Sequence, residues 1–64
     1  IKRDQWVQIN GRWQYNDSLG TPLKNQWFFD RNLQKWYYLG YDGFMLTNTI
    51  VGGYRVGSDG AWIK

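Results

Sequence analysis

The chain repeats itself, and the repeating unit is too short to be a domain. Trp13-Gln14-Tyr15 returns as Trp36-Tyr37-Tyr38, and the same offset carries Gly20 onto Gly43 and Leu23 onto Leu46. Gln5-Trp6 returns as Gln26-Trp27 at an offset shorter by two, so the second unit holds two extra residues between its tryptophans. A degraded third copy follows. Tyr41-Asp42-Gly43-Phe44 comes back as Ser58-Asp59-Gly60-Ala61, and Asn25-Gln26-Trp27 as Asn48-Thr49-Ile50. A unit of this size cannot bury its own apolar face and must stack on its neighbours. The spacing predicts one module over 1–64, with repeats at about 5–25 and 26–48 and a short C-terminal cap repeat at 49–64. It reads as a piece of a larger protein, the C-terminal part.

Each unit reads as a β-hairpin, which makes the chain all-β. Asn10-Gly11 separates Trp6-Val7-Gln8-Ile9 from Arg12-Trp13-Gln14-Tyr15. Asn-Gly favours a type I′ turn, because both central residues need positive φ. A two-residue turn sets Ile9 opposite Arg12, Gln8 opposite Trp13, Val7 opposite Gln14 and Trp6 opposite Tyr15. Opposed residues share a face and faces alternate along a strand. Trp6, Gln8, Trp13 and Tyr15 therefore share one face, and Val7, Ile9, Arg12 and Gln14 the other. The second hairpin pairs Trp27 with Tyr38, Phe28 with Tyr37, Phe29 with Trp36 and Asp30 with Lys35, leaving residues 31–34 as its loop. Trp27, Phe29, Trp36 and Tyr38 share its first face. Phe28, Tyr37, Val7 and Ile9, on the opposite faces, read as core. Gly52-Gly53 turns the third hairpin, with Val51 opposite Tyr54 and Ile50 opposite Arg55.

Composition explains how so small a chain could hold together and limits what it could do. Thirteen of 64 residues are Trp, Tyr or Phe, and there is no Cys or His. Disulfides and Cys/His zinc sites are excluded, so large aromatic side chains must supply the buried area. The usual nucleophile–base pairs are absent, and no cofactor is called for. The five acids are Asp4, Asp17, Asp30, Asp42 and Asp59. Three of them, 17, 42 and 59, recur at turns and read as turn residues rather than as metal ligands or a glycosidase pair. The expectation is a non-enzyme. A net charge of +3, scattered along the chain, is no nucleic-acid footprint, though it mildly favours an anionic polymer. No apolar run is long enough to span a membrane.

The stretches Gln26-Trp27, Trp36-Tyr37-Tyr38-Leu39 and Asp42-Gly43-Phe44-Met45-Leu46-Thr47 resemble the choline-binding, or cell-wall-binding, repeat of Gram-positive bacteria and their phages. Trp6, Asn10-Gly11 and Trp13-Gln14-Tyr15 form a looser copy, and Val56-Gly57-Ser58-Asp59-Gly60-Ala61-Trp62 resembles the closing motif of such arrays. The resemblance implies hairpins stacked into a short β-solenoid-like superhelix, with ligands between neighbours. It implies a module that holds a larger protein on choline-bearing teichoic acid. The setting would be a secreted or cell-surface protein, with any catalytic domain, such as a murein hydrolase or phage lysin, elsewhere.

Carried onto this chain, the resemblance places choline between Trp6, Trp13 and Tyr38. Pro22 stands where the family usually has Met. A second site would use Trp27, Trp36 and Met45, with Arg55 in its third aromatic position unless Tyr54 or Trp62 swings in. Choline is a quaternary ammonium without an N–H donor, so aromatic faces and methyl contacts must recognise it. Two other readings stand beside this one. A carbohydrate-binding module would stack glucan or peptidoglycan sugar rings on the same aromatics and use Gln8, Gln14 and Asn16 for hydroxyls. A structural repeat would pair its end hairpins with a second copy in a homodimer.

Overall fold

The computed structural model describes residues 2–63; residues 1 and 64, the outer ends of the module expected over 1–64, lie outside them. The described residues form strands β1 (Gln5–Ile9), β2 (Arg12–Asn16), β3 (Gln26–Asp30), β4 (Lys35–Leu39), β5 (Thr49–Val51), β6 (Tyr54–Val56) and β7 (Trp62–Ile63), and no helix. All neighbouring strands are antiparallel, in the pairs β1–β2 and β3–β4 and the three-stranded set β5–β6–β7. Every pairing expected from the turns is observed, from Trp6 opposite Tyr15 to Val51 opposite Tyr54. The short strand β7 is an addition: Trp62 pairs with Val56 and Ile63 with Arg55. Pro22 and Met45 occupy the matching places in the earlier units as single bridges, to Asn16 and Leu39.

The turn residues have the backbone conformations that their chemistry allows. Asn10 and Gly11 have φ of 51° and 82°, and Gly52 and Gly53 have 56° and 87°, as type I′ turns demand. Asp30 organises the longer loop at 31–34. Its Oδ1 accepts hydrogen bonds from the Asn32 amide at 2.8 Å and the Leu33 amide at 3.1 Å. Each hairpin is closed at its open end by a congruent bond: Asp4, Asn25 and Asn48 donate their amides to the carbonyls of Asp17, Gly40 and Gly57 at 3.0, 3.1 and 3.0 Å. These three donors have φ of 54°, 54° and 50°, a conformation that Asn and Asp tolerate better than other residues with a Cβ. Asp17, Asp42 and Asp59 are turn residues, each accepting a backbone amide two positions on.

The hairpins stack front to back. The Trp6 and Tyr15 face of the first meets the Phe28 and Tyr37 face of the second. Tyr15 lies on Phe28 with centroids 3.9 Å apart, and Trp6 meets Tyr37 edge-on at 5.2 Å. The Trp27 and Tyr38 face of the second hairpin then meets Tyr54 of the third, with Trp27 and Tyr54 at 5.9 Å. Leu39, Val56, Tyr37 and Ala61 are the buried hydrophobic residues. Leu39 and Val56 sit at matching ends of β4 and β6, so the core recurs with the repeat. Phe28 and Val7 are half-buried, whereas Ile9, expected in the core, is exposed, because no unit among the described residues stacks on its part of the first hairpin.

Asp30 is the one buried charge among the described residues. Its Oδ2 accepts the Trp6 indole N–H at 2.7 Å, which ties the second hairpin's loop to the first hairpin. Burial by itself raises the Asp30 pKa, but the bonds from Trp6, Leu33 and Asn32 outweigh it and hold the value below the ordinary one. A depressed folded-state pKa adds stability that is complete above the unfolded value and is lost as pH falls through the folded value. In urea titrations, the unfolding midpoint should therefore fall as pH is lowered from about 5 to about 2.5. Asp30→Asn should flatten that fall, leaving a smaller part from Asp42, whose pKa is also lowered, chiefly by the Phe44 amide.

Candidate functional site: aromatic cages between hairpins

Front-to-back stacking leaves a cavity at each junction. The first measures about 680 Å³, and its walls include Trp6, Trp13, Tyr37 and Met45, with Leu33, Arg12 and Asp59 nearer its rim. A smaller one of about 250 Å³ is lined by four side chains, Trp27, Trp36, Tyr54 and Trp62, all aromatic. The two are related by the repeat. Trp6 and Trp13 map to Trp27 and Trp36. Tyr37 and Met45 map to Tyr54 and Trp62 through the same offset that carries Asp42-Gly43 onto Asp59-Gly60. Trp13 and Trp36 are 39 % and 42 % exposed, so both cavities open to solvent along one tryptophan.

The third wall of each cavity differs from the expectation. Trp6 and Trp13 share the first cavity, but Tyr38 does not join them. It lies on the other face of its hairpin, edge-on to Trp27 at 5.2 Å. Tyr37 is there instead. A hairpin stacked front to back offers its neighbour the opposite face, and alternation puts that face one residue away. For the same reason Tyr54, not Arg55, faces Trp27, and Arg55 lies outside the cavity. Met45, expected with Trp27 and Trp36, lines the first cavity with Trp6 and Trp13. Pro22 lies one unit earlier in the stack, beside Gly43, and lines none of the cavities described. The internal offset between Asp42-Gly43 and Asp59-Gly60 aligns Tyr37 with Tyr54 and Met45 with Trp62, but the alignment alone does not say which faces meet. Gln8, Gln14 and Asn16, the polar candidates, also lie outside these cavities; Asn16 donates instead to the Lys2 carbonyl at 2.9 Å.

The electrostatics differ between the two. Burial first, then the carboxylates of Asp59 and Asp30, pushes the Tyr37 hydroxyl pKa above its ordinary value. Tyr37 is therefore a neutral ring at physiological pH, and two negative groups act on the first cavity. The cation at its rim, Arg12, sits 4.1 Å over the Phe44 ring and 3.4 Å from Asp42, so a carboxylate and a ring already offset its charge. The second cavity has no charged group in its walls. No helix of the described residues is long and apolar enough to cross a membrane.

Comparison with known proteins shows the family and the fold. Residues 21–62 match the choline-binding repeat, and the chain belongs to that family. Its structure resembles the choline binding domain of a Streptococcus pneumoniae protein, with 44 % identity and a TM-score of 0.81 over 92 % of this chain and 69 % of that one. It also resembles the endolysin of phage Cp-1 complexed with choline, at 37 % identity and a TM-score of 0.84, over 97 % of this chain but 19 % of the endolysin. Choline binding protein F of Streptococcus pneumoniae gives 35 % identity and a TM-score of 0.77, over 92 % of this chain and 19 % of that protein. No curated protein matches the sequence significantly.

One glycine holds the first cavity's shape. Gly60 has φ of 82°, and a Cβ built on it would overlap the Met45 thioether. Gly60→Ala should displace Met45 from the cavity and strain the turn. Strain and lost packing of about 1–2 kcal/mol would lower the thermal midpoint by roughly 5–15 °C in a domain of this size. Calorimetry checks the loss of stability, and the Met45 methyl resonance reports the displacement.

Proposed function

We propose that the chain is a non-catalytic module that binds choline in the two cavities and so holds a longer protein on choline-bearing teichoic acid at the bacterial cell surface. The observation that carries this reading is the box of Trp27, Trp36, Tyr54 and Trp62. Aromatic walls suit a trimethylammonium group, which has a positive charge, an apolar surface and no donor. Trp6, Trp13, Tyr37 and Met45, in the first cavity, form the other such site, where Asp59 and Asp30 favour a cation. The similarity to an endolysin complexed with choline supports choline as the ligand. The chain spans only 19 % of that endolysin and of choline binding protein F.

Each ring adds about 0.5–2 kcal/mol, so three or four rings give a site of roughly millimolar affinity. A polymer that presents many cholines converts such weak sites into firm attachment through effective concentration. A mildly basic chain also suits the phosphates of an anionic polymer.

Tryptophan fluorescence during titration with choline chloride tests the reading, with sodium chloride as the ionic control. The expected result is saturation with half-points of a few millimolar. Trp13→Ala should remove the first site and Tyr54→Ala the second, each weakening its own site about tenfold or more. Arg55→Ala and Tyr38→Phe should leave both in place. A chain that does not respond at about 50 mM choline would sink the reading.

A further inference from the structure

A third cavity, of about 590 Å³, adjoins the all-aromatic box and shares Trp36 and Trp62 with it. Its lining differs in kind. Phe29 and Trp36 present two open aromatic rings, 40 % and 42 % exposed, with centroids 5.2 Å apart and planes tilted by 54°. Around it stand hydrogen-bonding groups: Gln34, Lys35, Ser58 and Asp59. Lys35 and Asp59 approach to 3.9 Å, so the polar rim carries one charge of each sign. Ser58 and Asp59 also line the first cavity.

We infer that this middle cavity is a subsite for a neutral sugar ring, and the inference rests on choline occupying the neighbouring box. Choline borne by a polymer is joined through its hydroxyl oxygen, so whatever carries it must lie outside the box and against the adjoining surface. A pyranose has an apolar C–H face and a rim of hydroxyls. One of the two tilted rings can stack on the face while the other flanks the sugar's edge, and the donors and acceptors of Gln34, Lys35, Ser58 and Asp59 match the rim. The cancelling charges of Lys35 and Asp59 favour a neutral polyhydroxyl group over a phosphate, because a free phosphate would meet a carboxylate as readily as an ammonium. The subsite gives the module selectivity for choline attached to a glycan over free choline.

Amide chemical-shift mapping on the labelled chain tests this, with N,N′-diacetylchitobiose and cellobiose as probes, in the presence and absence of choline. Saturable shifts are expected at Phe29, Gln34, Lys35, Ser58 and Asp59, with half-saturation at about 10 mM. Phe29→Ala and Lys35→Ala should each weaken sugar binding about fivefold or more, while choline half-saturation changes less than about twofold. Tyr54→Ala should do the reverse. Absence of shifts at about 100 mM of either disaccharide overturns the inference, as do shifts confined to the box or indifferent to both variants. Stronger shifts of the same amides with inorganic phosphate overturn it in favour of an anion site. Sugar binding without choline binding would refute the proposed function and leave this subsite standing.

Discussion

Trp6 is the contact on which the rest of the structure depends. Its ring meets Tyr15 of its own hairpin at 5.3 Å and Phe28 and Tyr37 of the next at 5.9 and 5.2 Å, all edge-on. Its indole N–H ends on the buried carboxylate of Asp30. Each hairpin alone has two strands and one sticky face, which is marginal in water. Fixing Trp6 between two hairpins converts that face into an interior and sets the distance and rotation of one unit on the next. The partner, Asp30, also shapes the 31–34 loop, so stacking and loop geometry are formed together.

Because the edge-on ring contact recurs, between Trp27 and Tyr54 at the second junction, the voids recur as well. Flat strands bearing large rings cannot close completely at a junction, and the space left is walled by whatever the two facing surfaces present. At the first junction those walls are two Trp, a Tyr and a Met, with two carboxylates acting on them. At the second they are three Trp and a Tyr. One geometry thus gives two sites of different character, through substitution at the position shared by Met45 and Trp62. A cation held at either junction touches two hairpins at once, so occupancy and stacking stabilise each other by linkage.

The degraded look of the third repeat hides a complete wall. Ile50 and Arg55 do replace Trp27 and Tyr38, but those positions face away from the second cavity. Tyr54 and Trp62 face it, and both are aromatic. Ile50 and Arg55 lie on the face of the third hairpin turned away from the second.

Hairpin boundaries, turn types, strand register and the separation of each strand into two faces were all legible in the amino-acid sequence. These follow from local chemistry: Asn-Gly and Gly-Gly turns, and the two-residue alternation of a strand. So was membership of a repeat family, and the presence of two tryptophans on one face of each full hairpin. What only the tertiary structure decided was which faces meet. Nothing local distinguishes front-to-front from front-to-back stacking, and the choice moves the third wall by one residue, from Tyr38 to Tyr37 and from Arg55 to Tyr54. It also moves Met45 to the first site and brings β7, with Trp62, into the second. The reason is that alternation ties residue number to facing direction, whereas the stacking direction is set by long-range packing and by the bond from Trp6 to Asp30, which joins two different hairpins.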